Sequence, residues 1–203
     1  MSNISVRNVT RVFRLSTPEN LAAGLAWYED AHTIADALAA AHGVPVSRVA
    51  GILSAFSPRN SWGSNVNAAA RFIKSQGTSG GHTKANVTKA LAILLGADNT
   101  ETLRGLKTVA FASLIESAGM SGAVCIDRHA YDIAANVRHT DDTRNITPKR
   151  FRACVDAYNG AACILSRELG YPVTGAQVQA VTWLTWRARY WATGAFDFKG
   201  YRD

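Results

Sequence analysis

Leu103-Arg104-Gly105-Leu106-Lys107-Thr108-Val109-Ala110-Phe111, then Leu114 and Ile115, a break at Gly119 and Gly122, and Val124-Cys125-Ile126-Asp127-Arg128-His129-Ala130-Tyr131 form the segment to which the rest of the chain must fit. Gly105 allows a tight turn. From Lys107 to Glu116 apolar residues recur at helical spacing, with Phe111, Leu114 and Ile115 on one face, which predicts a hairpin running into a helix. After the double-glycine break a short apolar run leads to Asp127 at the start of another helix, whose Ala130, Ile133, Ala134 and Val137 share a face. A carboxylate at that position caps free N–H groups and lies in the favourable field of the helix. An isolated Asp before a helix is ordinarily a cap and nothing more.

The order of the pieces carries further information. Leu103-x-Gly105, Lys107-Thr108, an apolar helix and then hydrophobic-Asp127-x-His129 resembles the helix-hairpin-helix DNA glycosylases of the endonuclease III type, whose stretch runs Leu-Pro-Gly-Val-Gly-x-Lys-Thr-Ala, an apolar helix and Val-Asp-Thr-His. Upstream, Gly51-Ile52-Leu53-Ser54-Ala55-Phe56, a polar loop and Asn65-Val66-Asn67-Ala68 are similar to that family's Leu-Leu-Ser-Ala-Gln segment and the Asn-x-Ala helix after it. Thr83-Lys84-Ala85-Asn86-Val87 is similar to its Ser-Lys-Ala-x-x-Ile segment. Together these cover roughly Gly51 to Val137. The resemblance implies an all-α, two-lobed fold with a cleft between lobes, one lobe from about 44 to 140 and the other from 1–43 with 141–203. It also implies DNA as partner, Asp127 as the catalytic aspartate and Lys107 at the position where bifunctional members hold a nucleophilic lysine. Gly105, Thr108, Arg128 and His129, which belong to the matching motifs, are expected at the DNA. The family's hairpin has two phosphate-binding glycines, whereas this chain has only Gly105 and a shorter hairpin.

The bulk composition is compatible. At 203 residues, with 47% hydrophobic and 18% charged residues, the chain is long enough for one globular domain with a substantial core. The net charge of +7 favours a polyanionic partner, because basic groups gain affinity for phosphate by releasing counterions. Three cysteines, Cys125, Cys154 and Cys163, exclude a disulfide framework, a Cys-based zinc site and the four-cysteine iron–sulfur cluster of many endonuclease III relatives. No cofactor or metal is therefore expected, and the thiols are expected reduced in a cytoplasmic, monomeric protein. Residues 1–15 hold Arg7, Arg11 and Arg14 among single apolar residues, which is neither a signal peptide nor a membrane span.

Thr17-Pro18-Glu19 opens a long alanine-rich helix that runs to Gly43, and Ser47 is expected to cap a second from Arg48 to Phe56, ended by Pro58. The loop from Ser57 to Ser64 combines Arg59 with small polar groups and Trp62, the mixture that grips phosphate and presses a ring on bases. Phe56, Asn60 and Trp62 all qualify as the residue that fills the gap left by a flipped base, beside the plain reading of an ordinary helix connection. Helices are expected over Asn65–Lys74 and Thr83–Leu95. Thr140 to Asn145 is polar loop, Thr147-Pro148 opens a helix with another from Ala161 to Leu169, and Thr174 begins the last. On that last helix Gln179, Trp183, Trp186, Arg187 and Tyr190 share one broad face. This is either packing between lobes or a base-stacking wall in which Gln179 or Arg187 reads a base edge.

Three functions follow from these expectations. The first is a DNA glycosylase acting on a flipped base, with lyase activity if Lys107 attacks the sugar. The second resembles virus-encoded proteins that act as base-modifying transferases or pyrophosphorylases on hypermodified thymine, where basic groups such as Arg128 and Arg187 would matter more than Asp127. The third is a non-catalytic helical module that binds DNA or protein.

Overall fold

The computed structural model describes residues 4–80, 83–137 and 146–190. The polar stretch 140–145 lies outside them. Among the described residues there are ten α-helices and no strand: α1 Val6–Phe13, α2 Pro18–His42, α3 Val46–Phe56, α4 Trp62–Lys74, α5 Lys84–Leu94, α6 Asn99–Leu103, α7 Leu106–Glu116, α8 Arg128–Ala135, α9 Pro148–Leu169 and α10 Gly175–Tyr190. The fold is all-α, as the sequence predicts. None of these helices is long and apolar enough to cross a membrane.

The chain divides into two compact units, but not at 43 and 140. The first takes in the described residues of Met1–Tyr28 and Gly119–Phe196, the second those of Glu29–Ala118. The Asp127 helix thus belongs with the two chain ends rather than with the hairpin that precedes it, and α2 passes from the first unit into the second. The break at Ala118 and Gly119, both with positive φ, is where the chain changes units.

In the second unit α3 is the centre. Every residue from Val49 to Phe56 is buried, so this helix is covered all round, and α4, α5, α6 and α7 pack against it. Each fully buried Ile52, Leu53 or Phe56 side chain contributes about 1.5–3 kcal/mol relative to exposure. Polar side chains fix the surrounding helices to α3. Ser54 donates to the Thr108 carbonyl at 2.6 Å, Asn65 to that of Leu53 at 2.9 Å, and Asn99 to that of Ser47 at 2.8 Å.

The first unit packs α1, α8, α9 and α10 on one another around Val9, Ile133, Tyr158, Ala161 and Val178. Helix α1 is absent from the sequence expectation, although Ser5 caps it and Val9, Val12 and Phe13 form its inner face. Its start is tied to the end of α8: the Ser5 amide and the Asn8 side chain both donate to the Ala134 carbonyl, at 3.0 and 2.9 Å. Helix α9 is one continuous helix instead of two, because Gly160 does not interrupt it. That glycine is where α1 comes closest, and a Cβ there would lie 2.8 Å from Val6 Cγ2.

Other boundaries moved for local reasons. Helix α3 begins at Val46 after Pro45, which makes no side-chain cap, so Ser47 lies inside it. Helix α4 begins at Trp62, because Ser61 accepts from the Ser64 amide, and Trp62 therefore stands in a helical first turn rather than in a loop. In the hairpin the left-handed residue is Arg104 (φ 56°), whereas Gly105 (φ −83°) is extended and starts α7.

Helices α2 and α10 approach backbone to backbone, where a Cβ on Gly24 would lie 2.5 Å from Val181 Cα and 2.6 Å from its amide nitrogen. Backbone cannot give way as a side-chain tip does. Gly24→Ala is therefore expected to cost about 2 kcal/mol or more and to lower the thermal midpoint by about 5 °C or more. An unchanged midpoint by circular dichroism would contradict this approach.

Candidate functional site

The first unit gathers its chemistry around the N-terminus of α8. Val124, Cys125 and Ile126 are buried, and this apolar run holds Asp127 at the helix start with extended backbone. Asp127 Oδ1 accepts from the Ala130 amide at 2.8 Å, so the residue is an N-cap. Its second oxygen has a separate partner: Oδ2 accepts from the indole Nε1–H of Trp183, on α10, at 3.0 Å. The carboxylate is half-buried, and neither bond exhausts its lone pairs.

Trp183 is held on further sides. One helical turn along, the Arg187 guanidinium lies 4.3 Å from the indole centroid, a cation–π geometry. The His129 ring, 6% exposed, meets the indole edge-on with centroids 6.5 Å apart. Burial pushes the His129 pKa down. Asp127 opposes that shift, Arg128 and Arg187 reinforce it, and Asp132 opposes it.

Beneath this lies a buried polar layer. Tyr28 donates to Gln179 Oε1 at 3.0 Å and hydrogen-bonds the Cys125 thiol, and its phenol pKa is pushed well up by burial and then by Cys125 and Asp127. Tyr158 donates to the Ala130 carbonyl at 3.2 Å, and burial likewise raises its pKa. Tyr28 thus links the end of the first-unit part of α2, the segment before Asp127 and α10.

Of the residues singled out in the sequence, Asp127, Arg128, His129, Gln179, Trp183 and Arg187 all fall in this unit, and Asp127, His129, Trp183 and Arg187 form one cluster. Gln179 is 5% exposed and its carbonyl is taken by Tyr28, so it is packed inside rather than held out to a base edge. His129 is also enclosed. Cys125 carries no sequence signal beyond burial, and Tyr28, with Trp27 and His32, reads from spacing as an aromatic of α2 that is either core or pocket-facing.

The remaining candidates belong to the second unit. Lys107 is the second residue of α7 and half-buried. Gly105 is the N-cap of α7 and makes no side-chain cap, and Thr108 donates to its carbonyl at 3.0 Å. Phe56 is fully buried, edge-on to Phe72 at 5.2 Å, and as a core residue it is withdrawn as the gap-filling side chain. Arg59 is exposed with a left-handed backbone (φ 58°), Asn60 donates to the Phe56 carbonyl at 3.4 Å, and Trp62 packs edge-on to Phe111 at 6.3 Å. Among the described residues no group of three or more His, Cys, Asp or Glu side chains is placed to hold a metal ion.

The two bonds of Asp127 can be told apart by substitution. Asp127→Ala removes both and is expected to cost about 3 kcal/mol or more in urea unfolding. Asp127→Asn keeps an oxygen for the cap but turns its NH2 toward the indole N–H, and is expected to cost about half as much. Equal loss in the two variants would contradict the capping geometry. No curated protein and no solved structure matches the chain. A family model does: it matches residues 2–190, and the chain belongs to the Family of unknown function (DUF7178).

Proposed function

We propose that this protein is a DNA-acting enzyme of the glycosylase type, working on a base turned out of the stack, with Asp127 as the carboxylate beside the sugar. One observation carries the reading. A half-buried carboxylate is fixed by an amide on one oxygen and an indole on the other, next to an aromatic ring with a guanidinium on its face. A cap alone needs only the first of those bonds.

Breaking the N-glycosidic bond leaves the electron pair on the departing base and positive charge on the deoxyribose. An anion of fixed position stabilises that charge without reorganising. Water then adds at the sugar carbon, loses its proton, and leaves an abasic site. The partly exposed Trp183 ring offers a face or edge for stacking a base, and Arg187 reinforces it. In the second unit, α7 opens on Gly105 without a side-chain cap, which favours contact of its first-turn amides with a phosphate oxygen. The net charge of +7 supports a polyanionic partner.

The experiment compares the parent with Asp127→Asn on duplexes carrying a panel of damaged and modified bases. Product formation is expected to fall by at least about a hundredfold while DNA affinity changes by less than about threefold. Turnover unaffected by the substitution overturns the assignment. Borohydride trapping tests the lyase form: an adduct lost in Lys107→Ala supports it, and no adduct with the parent removes Lys107 from the chemistry.

A second reading is favoured by the two guanidinium groups, Arg128 and Arg187, whose charges both act on His129 beside Asp127. Two such cations suit a phosphorylated base, whose phosphate leaves with the bonding electrons as an amine bonds the carbon that held it. On DNA containing phosphorylated hydroxymethyluracil, transfer to the base with the glycosidic bond intact, abolished in Arg187→Ala, supports this reading, whereas base loss supports the first.

A further inference from the structure

We infer that His129 is a positioning residue for the Asp127–Trp183 pair: its enclosed ring sets the plane of the indole and thereby the direction in which Nε1–H reaches Asp127 Oδ2. Three of the contacts on Trp183 bear on its orientation. The guanidinium of Arg187 lies on its face at 4.3 Å, the carboxylate of Asp127 takes its N–H at 3.0 Å, and the His129 ring stands against it at an interplanar angle of 74°. The edge-on His129 ring opposes rocking of the indole toward it. A hydrogen bond loses strength steeply once its angle falls toward about 120°, so a modest rotation of the ring is enough to undo it.

His129 is suited to this role and not to touching a ligand. It is 6% exposed and sits two residues after Asp127 in the first turn of α8, between the buried Ile126 and Ala130. The charged groups acting on it are Asp127, Arg128 and Asp132 from its own segment and Arg187 from α10. Burial and the two guanidinium groups keep the imidazole neutral, against the pull of the two carboxylates. Protonation would add a third cation beside Arg128 and Arg187 and draw Asp127 away from the indole.

The sign follows directly. With the folded value lowered, the neutral ring is fully present above the ordinary imidazole range and is lost as pH falls through the lowered value. The Asp127–Trp183 bond is therefore expected to hold at neutral pH and to loosen on acidification.

Only the consequence for turnover rests on the proposed function. The positioning itself is read in the free protein, so either can fail without the other. In the ¹⁵N-labelled full chain the Trp183 indole N–H resonance is identified by its loss in Trp183→Phe. In His129→Ala that resonance is expected to move toward the free-indole position and its exchange with water to quicken by about tenfold or more, with helical circular dichroism retained. His129→Phe keeps an edge-on ring and is expected to preserve both. On acidification the parent resonance is expected to show a step that His129→Phe lacks. An unmoved resonance in a folded His129→Ala, or the same pH profile in the parent and His129→Phe, overturns the inference. If the alanine variant does not fold, the comparison of parent with His129→Phe decides. If neither variant folds, a parent indole resonance that moves in step with the His129 ring-proton resonances on acidification upholds the inference, and one that does not follow them overturns it.

Discussion

Asp127 has two carboxylate oxygens, and the first unit depends on each being bound to a different donor. One accepts from Ala130 and fixes where α8 begins; the other accepts from Trp183, 56 residues further along the chain, and fixes how α10 faces it. Hydrogen bonds to a charged acceptor contribute about 1.5–3 kcal/mol each, enough to select one arrangement of two helices over near alternatives. The buried Val124, Cys125 and Ile126 keep the carboxylate from swinging away, since moving it would drag apolar surface into water.

What brings α10 to the right height is a glycine. At Gly24 the absence of a Cβ lets Val181 approach with backbone in contact, and the side chains on either side of Val181 then have fixed positions. Two residues earlier Gln179 accepts from Tyr28; two residues later Trp183 reaches Asp127. Gly175 works similarly at the start of the same helix, where a side chain would collide with that of Asn159. Small residues in α2 and α10 and polar ones around them are therefore parts of one arrangement. The close approach sets the distance, and the hydrogen bonds set the rotation.

Much of this was legible in the sequence because it is local. Thr17, Thr83, Asp127 and Thr147 announce helix starts through short side chains that accept from amides two or three residues on, and the structure places a helix after each. The shared face of Gln179, Trp183, Arg187 and Tyr190 was readable from spacing alone. What spacing does not contain is which residues of that face meet which partner. Gln179 and Trp183 are one turn apart, yet one is sealed under Tyr28 and the other reaches the half-buried acid. Phe56 was misjudged for the same reason: its position after an apolar helix fits a gap-filling side chain, while its burial comes from Phe72, sixteen positions away in the sequence. The unit boundaries were missed because a continuous helix, α2, carries no mark at Tyr28 to show where its neighbours change.

The two helix starts in the decisive segment differ in a way that bears on how each would meet an anion. Both present first-turn amides and the positive end of a helix field. At α8 that end already holds an anion, Asp127, so it serves to orient an internal group. At α7 the N-cap is Gly105, which supplies no side-chain acceptor, while the left-handed turn is made by Arg104. A non-glycine residue in that conformation costs on the order of 1–3 kcal/mol, and here it leaves the cap position to the residue without a side chain. On the proposed reading the same local device then has two uses. One helix start is capped by its own acid, which it aims; the other has no acceptor from its cap residue, which suits contact with a backbone phosphate.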